Sequence, residues 1–194
     1  MPQIIHERPE DAALIEPLLE KCFGSERFKK TAYKIREKLE PIRELSFIVK
    51  ESDKLLATIR YWPIIIGKHT EALLLGPIAV EPERQGEGLG VSLIRKSLQV
   101  AKDLDYQIVI LVGDPEYYEQ FGFTSAAENN LSLPGPVEDR RFLVKELTSG
   151  SLSGVLGTVS GGGIGPQPAG RISRLQETAT EITKLTSFAP PPEA

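Results

Sequence analysis

The sequence predicts one mixed α/β domain with an appendage, in which an antiparallel meander leads into a βαβ unit. Two observations carry that prediction. Three strand-length apolar runs lie between Leu45 and Val80, separated by short polar turns, and a glycine-rich turn, Gln85 to Gly90, sits between an apolar strand and a long amphipathic helix. A third is the run Gln107 to Val112 beyond that helix, which reads as a buried strand parallel to the one before it. At 194 residues the chain is long enough to bury a substantial core.

Taken in order, Gln3 to Glu7 reads as a short first strand. Pro9-Glu10-Asp11 opens a helical pattern with Ala13, Leu14, Pro17, Leu18, Leu19 and Cys22 on its apolar face and Gly24 as its stop. The interior Pro17 predicts a kink or a late start. Ser25 to Leu39 reads as a second, more polar helix. After Pro41 the period changes to that of strands: Leu45 to Lys50, Leu55 to Ile66 and Glu71 to Val80, turning at Ser52-Asp53-Lys54 and Gly67-Lys68-His69. The continuously apolar Ile78-Ala79-Val80 predicts a strand end covered on both faces. A long helix from about Gly88 to Asp103 follows, with Leu89, Leu93, Ile94, Leu98 and Ala101 on one face and Arg95, Lys96, Gln99 and Lys102 on the other. Asp114 to Gln120 reads as a short helix ended by Phe121-Gly122-Phe123, and Leu131 to Leu133 and Arg141 to Leu147 as the last strands. From Ser149 glycine and serine accumulate up to Gly161-Gly162-Gly163, which reads as a linker. Beyond it Ile172, Leu175, Ala179, Ile182 and Leu185 fall at helical spacing. The domain is thus drawn over 1–159, with a linker and tail helix over 160–194.

Composition excludes several function classes. A net charge of −4 argues against a broad nucleic-acid surface, which would be basic. Cys22 is the one cysteine, so no intrachain disulfide forms and a reducing compartment is the simpler reading. With it, His6 and His69 make no convincing zinc set, although carboxylates could bind a harder metal. Met1 to Glu10 lacks the apolar run of a signal peptide, and no stretch is apolar enough to span a bilayer. The expectation is a cytoplasmic protein without metal, membrane or nucleic-acid partner.

The glycine turn is physically an anion site. The first amides of a helix have no intrahelical acceptor, the helix dipole favours negative charge there, and glycines let the backbone approach a bulky phosphate. Several readings compete. A dinucleotide fingerprint would need a third glycine where Val91 stands, and a P-loop would need a glycine where Arg95 precedes Lys96-Ser97. The pyrophosphate of coenzyme A and a purely structural turn both stay open.

In detail, Gln85-Gly86-Glu87-Gly88-Leu89-Gly90 resembles the Q/R-x-x-G-x-G/A motif of the GCN5-related N-acetyltransferase (GNAT) superfamily. Ile78 to Arg84 is similar to that family's fourth strand and turn, and Tyr117 to Phe123 to its Y-x-x-x-G-F signature, the resemblance covering roughly Gln3 to Val159. It implies a mixed, mostly antiparallel sheet splayed between its fourth and fifth strands and flanked by helices, with acetyl-CoA in the cleft and no metal. By resemblance, backbone groups of Ile78, Ala79 and Val80 pair with the pantetheine arm, and amides from Gln85 to Gly90 (Gln85, Gly86, Gly88, Leu89, Gly90), with Val91, hold the pyrophosphate. Arg84 could add charge there. Tyr118 matches the tyrosine that gives a proton to the departing sulfur, and Tyr117 is then the residue expected to pack inward.

Two departures stand out. Asp114 occupies a position where many relatives have an asparagine touching the pantetheine arm, and Leu74 stands where some carry a glutamate base. Glu71, Glu81 and Glu83 are within reach but read as solvated surface, so no base is named. Gly76-Pro77, Gly113-Asp114-Pro115 and Tyr117-Tyr118 resemble a subgroup of small bacterial acetyltransferases, which identifies no acceptor. The resemblance implies an N-acetyltransferase acting by direct attack of a small-molecule or protein amine, with acetyl rather than a longer acyl group as the family expectation. A non-catalytic acyl-CoA sensor is the alternative, and the tail stripe leaves a scaffold or homodimer role open. The acceptor would be set by Phe23 to Lys38, the Trp62-Pro63 strand and Ser125 to Arg140, which supply Arg27, Lys29 and Lys30 against Glu128, Glu138 and Asp139.

Overall fold

A computed structural model describes residues 2–162. Strand β1 (Gln3–His6) is followed by helix α1 (Ala12–Phe23) and a short helix α2 (Thr31–Ile35). The meander is β2 (Phe47–Glu51), β3 (Lys54–Ile66) and β4 (Thr70–Val80). Helix α3 (Leu89–Asp103), strand β5 (Ile108–Val112) and the single-turn α4 (Pro115–Tyr118) come next. Short strands β6 (Thr124–Ser125) and β7 (Leu131–Ser132), then β8 (Phe142–Glu146) and β9 (Gly157–Gly161), complete the described fold. The sheet runs β1-β2-β3-β4-β5-β8-β6, with β9 pairing both β3 and β7. Its neighbours are antiparallel except β4 with β5 and β7 with β9. The predicted mixed, mostly antiparallel sheet with a parallel βαβ unit is therefore present.

The period of two along each strand decides which side chains meet which helix. Leu73, Leu75, Val109 and Leu111 face one side, where the α3 residues Leu93, Ile94, Leu98 and Ala101 pack on them. Fully burying a side chain such as Leu93 or Ile94 contributes roughly 1.5–3 kcal/mol, which fixes α3 against the sheet. The hydroxyls of Tyr61 on β3 and Ser97 on α3, 2.8 Å apart, add a buried hydrogen bond across this interface. Ala72, Leu74, Ile108 and Ile110 point to the other face and meet Ile35 of α2 and Val159 of β9. On that same face Ile15, Leu18 and Leu19 of α1 pack on Ile48, Leu55 and Ala79.

The strands fall within a few residues of the sequence expectation; the helices of the first segment do not. Pro17 lies inside an unbroken α1, whose start at Ala12 leaves the proline early enough to cost one hydrogen bond. The predicted second helix over Ser25 to Leu39 is instead a 3-10 turn, Ser25–Lys29, and the five-residue α2. Its six cations, Arg27, Lys29, Lys30, Lys34, Arg36 and Lys38, leave only the narrow stripe of Phe28, Ala32, Ile35 and Leu39 to bury, and Phe28 stays exposed. The glycine- and serine-rich stretch from Ser149, read as a linker, carries β9 and crosses the boundary drawn at 159. The predicted tail helix lies outside the described residues. No helix among the described residues is long and apolar enough to cross a membrane.

The first turn is fastened by one buried acid. Asp11 is only 2% exposed, accepts the Arg8 amide at 2.9 Å and pairs with Lys50. Burial alone would raise its pKa, but the bonds from Lys50 and Arg8 outweigh burial and hold it below the usual carboxylate value. A depressed pKa contributes stability that is present above the unfolded value near 3.9 and is lost as pH falls through the folded one. Asp11→Asn is therefore expected to cost roughly 1–3 kcal/mol at neutral pH, the partly exposed Lys50 keeping the figure low. Thermal melts at pH 7 and pH 3 check this: the gap between native and variant should shrink at the lower pH.

Candidate active site

The site begins where β4 leaves β5. The two strands pair only at Leu73 with Val109 and Leu74 with Ile110. On the opposite edge of β4, Leu75 pairs with Tyr61 and Ile78 with Ile59, so Gly76 and Pro77 together oppose Arg60 alone. Two residues against one is a bulge, and Pro77 has no amide to give the ladder, so the strand bends there. Beyond the bend Ile78, Ala79 and Val80 stay paired to β3 but have no strand on the β5 side. The opening expected between the fourth and fifth strands is thus built by Gly76-Pro77. It forms a cleft of about 450 Å³, lined by Leu75 to Ile78 on one wall, Leu111 to Asp114 with Tyr117 and Tyr118 on another, and Tyr33 and Arg36 on a third.

At the far end of β4 stands the glycine turn. Pro82–Arg84 forms a 3-10 turn, Gln85 is extended, and Gly86 and Gly88 take φ of 86° and 79°. That left-handed conformation is one L side chains rarely adopt, and nothing lies within 4 Å of where side chains on these two glycines would start. Ser92 is the first residue of α3 whose amide bonds back into the turn, to the Gly88 carbonyl at 2.9 Å. The amides of Leu89, Gly90 and Val91 are thereby left at the positive end of a fifteen-residue helix. The Gln85 side chain reaches back to the Val80 carbonyl at 3.4 Å, closing the turn on β4. Arg84 does not project a free charge: Glu87 at 2.6 Å and Glu51 at 2.9 Å hold its guanidinium.

The other wall corrects one expectation about the paired tyrosines. Tyr118, not Tyr117, is the one turned inward, at 8% exposed against 38%. Their rings meet edge to face at 5.1 Å. Tyr118 still lines the cleft, and a side chain on Gly113 would come within 2.2 Å of its ring, so only glycine fits beneath it. Burial pushes the Tyr118 hydroxyl well above the ordinary tyrosine pKa, Tyr117 and Asp114 adding to the shift and Arg141 opposing it. The phenol therefore keeps its proton. The Tyr117 hydroxyl lies beside the first turn of α3, 3.1 Å from where a side chain on Gly90 would start. Asp114 starts α4 through its carbonyl, which accepts the amides of Tyr117 at 3.0 Å and Tyr118 at 3.1 Å. Its carboxylate is exposed and lies 3.4 Å from Arg141.

Leu74, at the position of the glutamate base of some relatives, is buried and paired with Ile110. Glu81, read as solvated, is buried and ion-paired with Lys21, while Glu71 and Glu83 are exposed. Among the described residues no group of three or more His, Cys, Asp and Glu could hold a metal. Of the charged residues assigned to the acceptor side, Lys30 and Glu138 line the cleft. Arg27 instead lies buried between Glu16 and Glu20. Sequence reasoning missed Tyr33 and Arg36, both of which line the cleft. Their three-residue spacing on a helix with Trp62 opposite was the available signal, hidden by the exposed cations around them.

This arrangement has close counterparts. The acetyltransferase (GNAT) domain family model matches residues 5–126. The uncharacterized N-acetyltransferase YhbS of Escherichia coli strain K12 is 28% identical over 155 residues, 79% of this chain and 92% of that protein. A crystal structure of YhbS in complex with CoA superposes with a TM-score of 0.72 at 28% identity, covering 83% of this chain and 89% of that one. A GNAT family acetyltransferase of Brucella melitensis in complex with acetyl-CoA gives 0.62 at 27% identity, over 82% and 95%. Because the family model spans β2 to β5, the glycine turn and the paired tyrosines in one continuous match over more than half of the chain, the chain belongs to the GNAT acetyltransferase family.

Proposed function

We propose that this chain transfers the acetyl group of acetyl-CoA to an amine by direct attack, with both molecules held in the cleft between β4 and β5. One observation carries the reading: the bulge at Gly76-Pro77 opens an unpaired strand edge that runs straight from buried Tyr118 to the glycine turn. Acetyl-CoA supplies the activated acetyl group as a thioester.

The rest is done by the chain. The backbone of Ile78, Ala79 and Val80 offers a free edge to which an extended amide-bearing arm can add like a strand. The amides of Gly86, Gly88, Leu89, Gly90 and Val91, with Gln85 bracing the turn, receive the pyrophosphate. Arg84 contributes there by holding Glu51 and Glu87 rather than by presenting charge. Asp114 lines the cleft beside the arm. As the amine nitrogen bonds to the acetyl carbon the C–S bond breaks, and Tyr118, still protonated, gives its proton to the sulfur. Leu74 stands where a glutamate on β4 would take the amine's proton, so that proton passes to water, and the Tyr118 phenolate left by protonating the sulfur is reprotonated from solvent. The proposal sets the reaction in the cytoplasm, needs no metal, and takes no nucleic acid or membrane as partner.

Calorimetric titration of the full chain with acetyl-CoA, followed by thiol release with a panel of amines, tests it. Binding and amine-dependent thiol release are expected. Binding without release from any amine would favour the acyl-CoA sensor, and absence of binding by a folded protein would remove both.

A further inference from the structure

We propose that Arg36 binds a carboxylate on the acceptor, so that the amines acetylated by this chain are small molecules bearing an acid group, as amino acids do; this rests on the acetyl-transfer reading above. Arg36 sits at the end of α2, lines the cleft and is only 6% exposed. The neighbouring arginines are all paired. Arg27 has Glu16 and Glu20, Arg60 forks onto Glu7 at 2.6 and 2.8 Å, and Arg141 has Asp114. Among the described residues Arg36 has no carboxylate within 4.0 Å.

What holds it is stacking. Its guanidinium carbon lies 3.5 Å from the centre of the Tyr33 ring and 5.5 Å from that of Trp62. Cation–π attraction to the Tyr33 ring holds the charge without requiring an N–H donor, so it is compatible with donation from the guanidinium to an acceptor. A buried cation without a counter-ion is costly, and a site that keeps one is completed when an anion arrives. Burial lowers the pKa of Arg36 to about 10, so it remains charged at neutral pH. A second polar group lies beside it: the Tyr33 hydroxyl is buried and, among the described residues, makes no hydrogen bond of good geometry, the Arg36 guanidinium being its polar neighbour.

Position ties this pair to the reaction. Arg36 Nη1 is 3.9 Å from where a side chain on Gly76 would start, at the bulge that opens the cleft. The Gly76 carbonyl accepts Trp62 Nε1 at 2.6 Å and, being uncharged, supplies no counter-ion. One guanidinium with a phenol matches one carboxylate better than a doubly charged phosphate. Glu138 and Asp114 line the same cleft, so it offers both signs of charge, which suits a zwitterion better than a polyamine. About 450 Å³ is room for a small molecule.

Trp62 is the chain's single tryptophan, so its fluorescence reports on Arg36 without turnover. The full chain, with and without CoA, would be titrated with L-amino acids and with their C-terminal amides. At least one acid should change the emission saturably and its amide should bind on the order of 10–100-fold more weakly. Thiol release should show the same preference as a lower KM for the acid. Arg36→Met should erase the acid–amide difference, Arg36→Lys should keep part of it, and both should bind acetyl-CoA as the native chain does. Amides binding as well as acids, a preference for amino-phosphates or polyamines, silence across the panel, or unchanged discrimination in Arg36→Met would each overturn the proposal. Failure of acetyl-CoA to bind, with the Arg36-dependent fluorescence change intact, would instead sink acetyl transfer and leave the carboxylate site standing.

Discussion

Tyr118→Phe should lower kcat by on the order of 10²–10³-fold while leaving the affinity for acetyl-CoA within about twofold, the signature of a lost proton donor. The substitution removes one oxygen from a ring that packs against Tyr117, Phe121 and Phe123, so the wall of the cleft is kept. Steady-state thiol release beside calorimetry separates the two quantities. An equal fall in affinity would mean that the phenol only shapes the pocket. The pH profile is a second check. Because burial raises the Tyr118 pKa, its protonated form persists to higher pH, and native activity should not decline through the ordinary tyrosine value near 10 on its account. A decline there that disappears in Tyr118→Phe would contradict the burial described.

The second large effect is on binding. Gly88→Glu combined with Gly90→Glu should weaken acetyl-CoA binding by at least roughly 100-fold, since juxtaposed like charges cost several kcal/mol. Space makes this specific. Nothing lies within 4 Å of the Gly88 side-chain position, so a carboxylate there occupies the ground in front of the α3 amides. A side chain at Gly90 meets the Tyr117 hydroxyl at 3.1 Å, a contact the half-exposed ring can relieve. Backbone strain at Gly88, whose φ is 79°, costs about 1–2 kcal/mol, too little to unfold the domain. Thermal melts and calorimetry on the same samples show whether the fold survives. Unchanged affinity in a folded variant would move the pyrophosphate away from this turn.

The strands and α3 were legible because their apolar residues repeat with periods of two and 3.6, and burial on a sheet enforces those periods. The glycine turn was legible because left-handed backbone and close approach need glycine, whatever surrounds it. The cleft's third wall was not. Arg27 and Arg36 are both arginines in a polar stretch, and only the tertiary fold delivers Glu16 and Glu20 to one and, among the described residues, aromatic rings but no carboxylate within 4.0 Å to the other. Tyr117 and Tyr118 are adjacent and chemically identical, so which faces inward is set by the pitch of α4 and the space over Gly113. Strand β9 was hidden for a different reason. Gly157, Ser160 and Gly161 have poor strand propensity, and the strand exists because β3 offers it a ladder.

That last strand changes where the chain can be cut. Val159, Ser160 and Gly161 cover the outer backbone of Ile66, Ile65 and Ile64, beyond the reach of β2. A shortened version ending before Gly157, which the glycine- and serine-rich composition invites, would bare an isoleucine-rich edge with unmet amides and carbonyls. Such an edge recruits strands from other molecules, so clumping in a trimmed preparation would report the lost cover rather than native self-assembly.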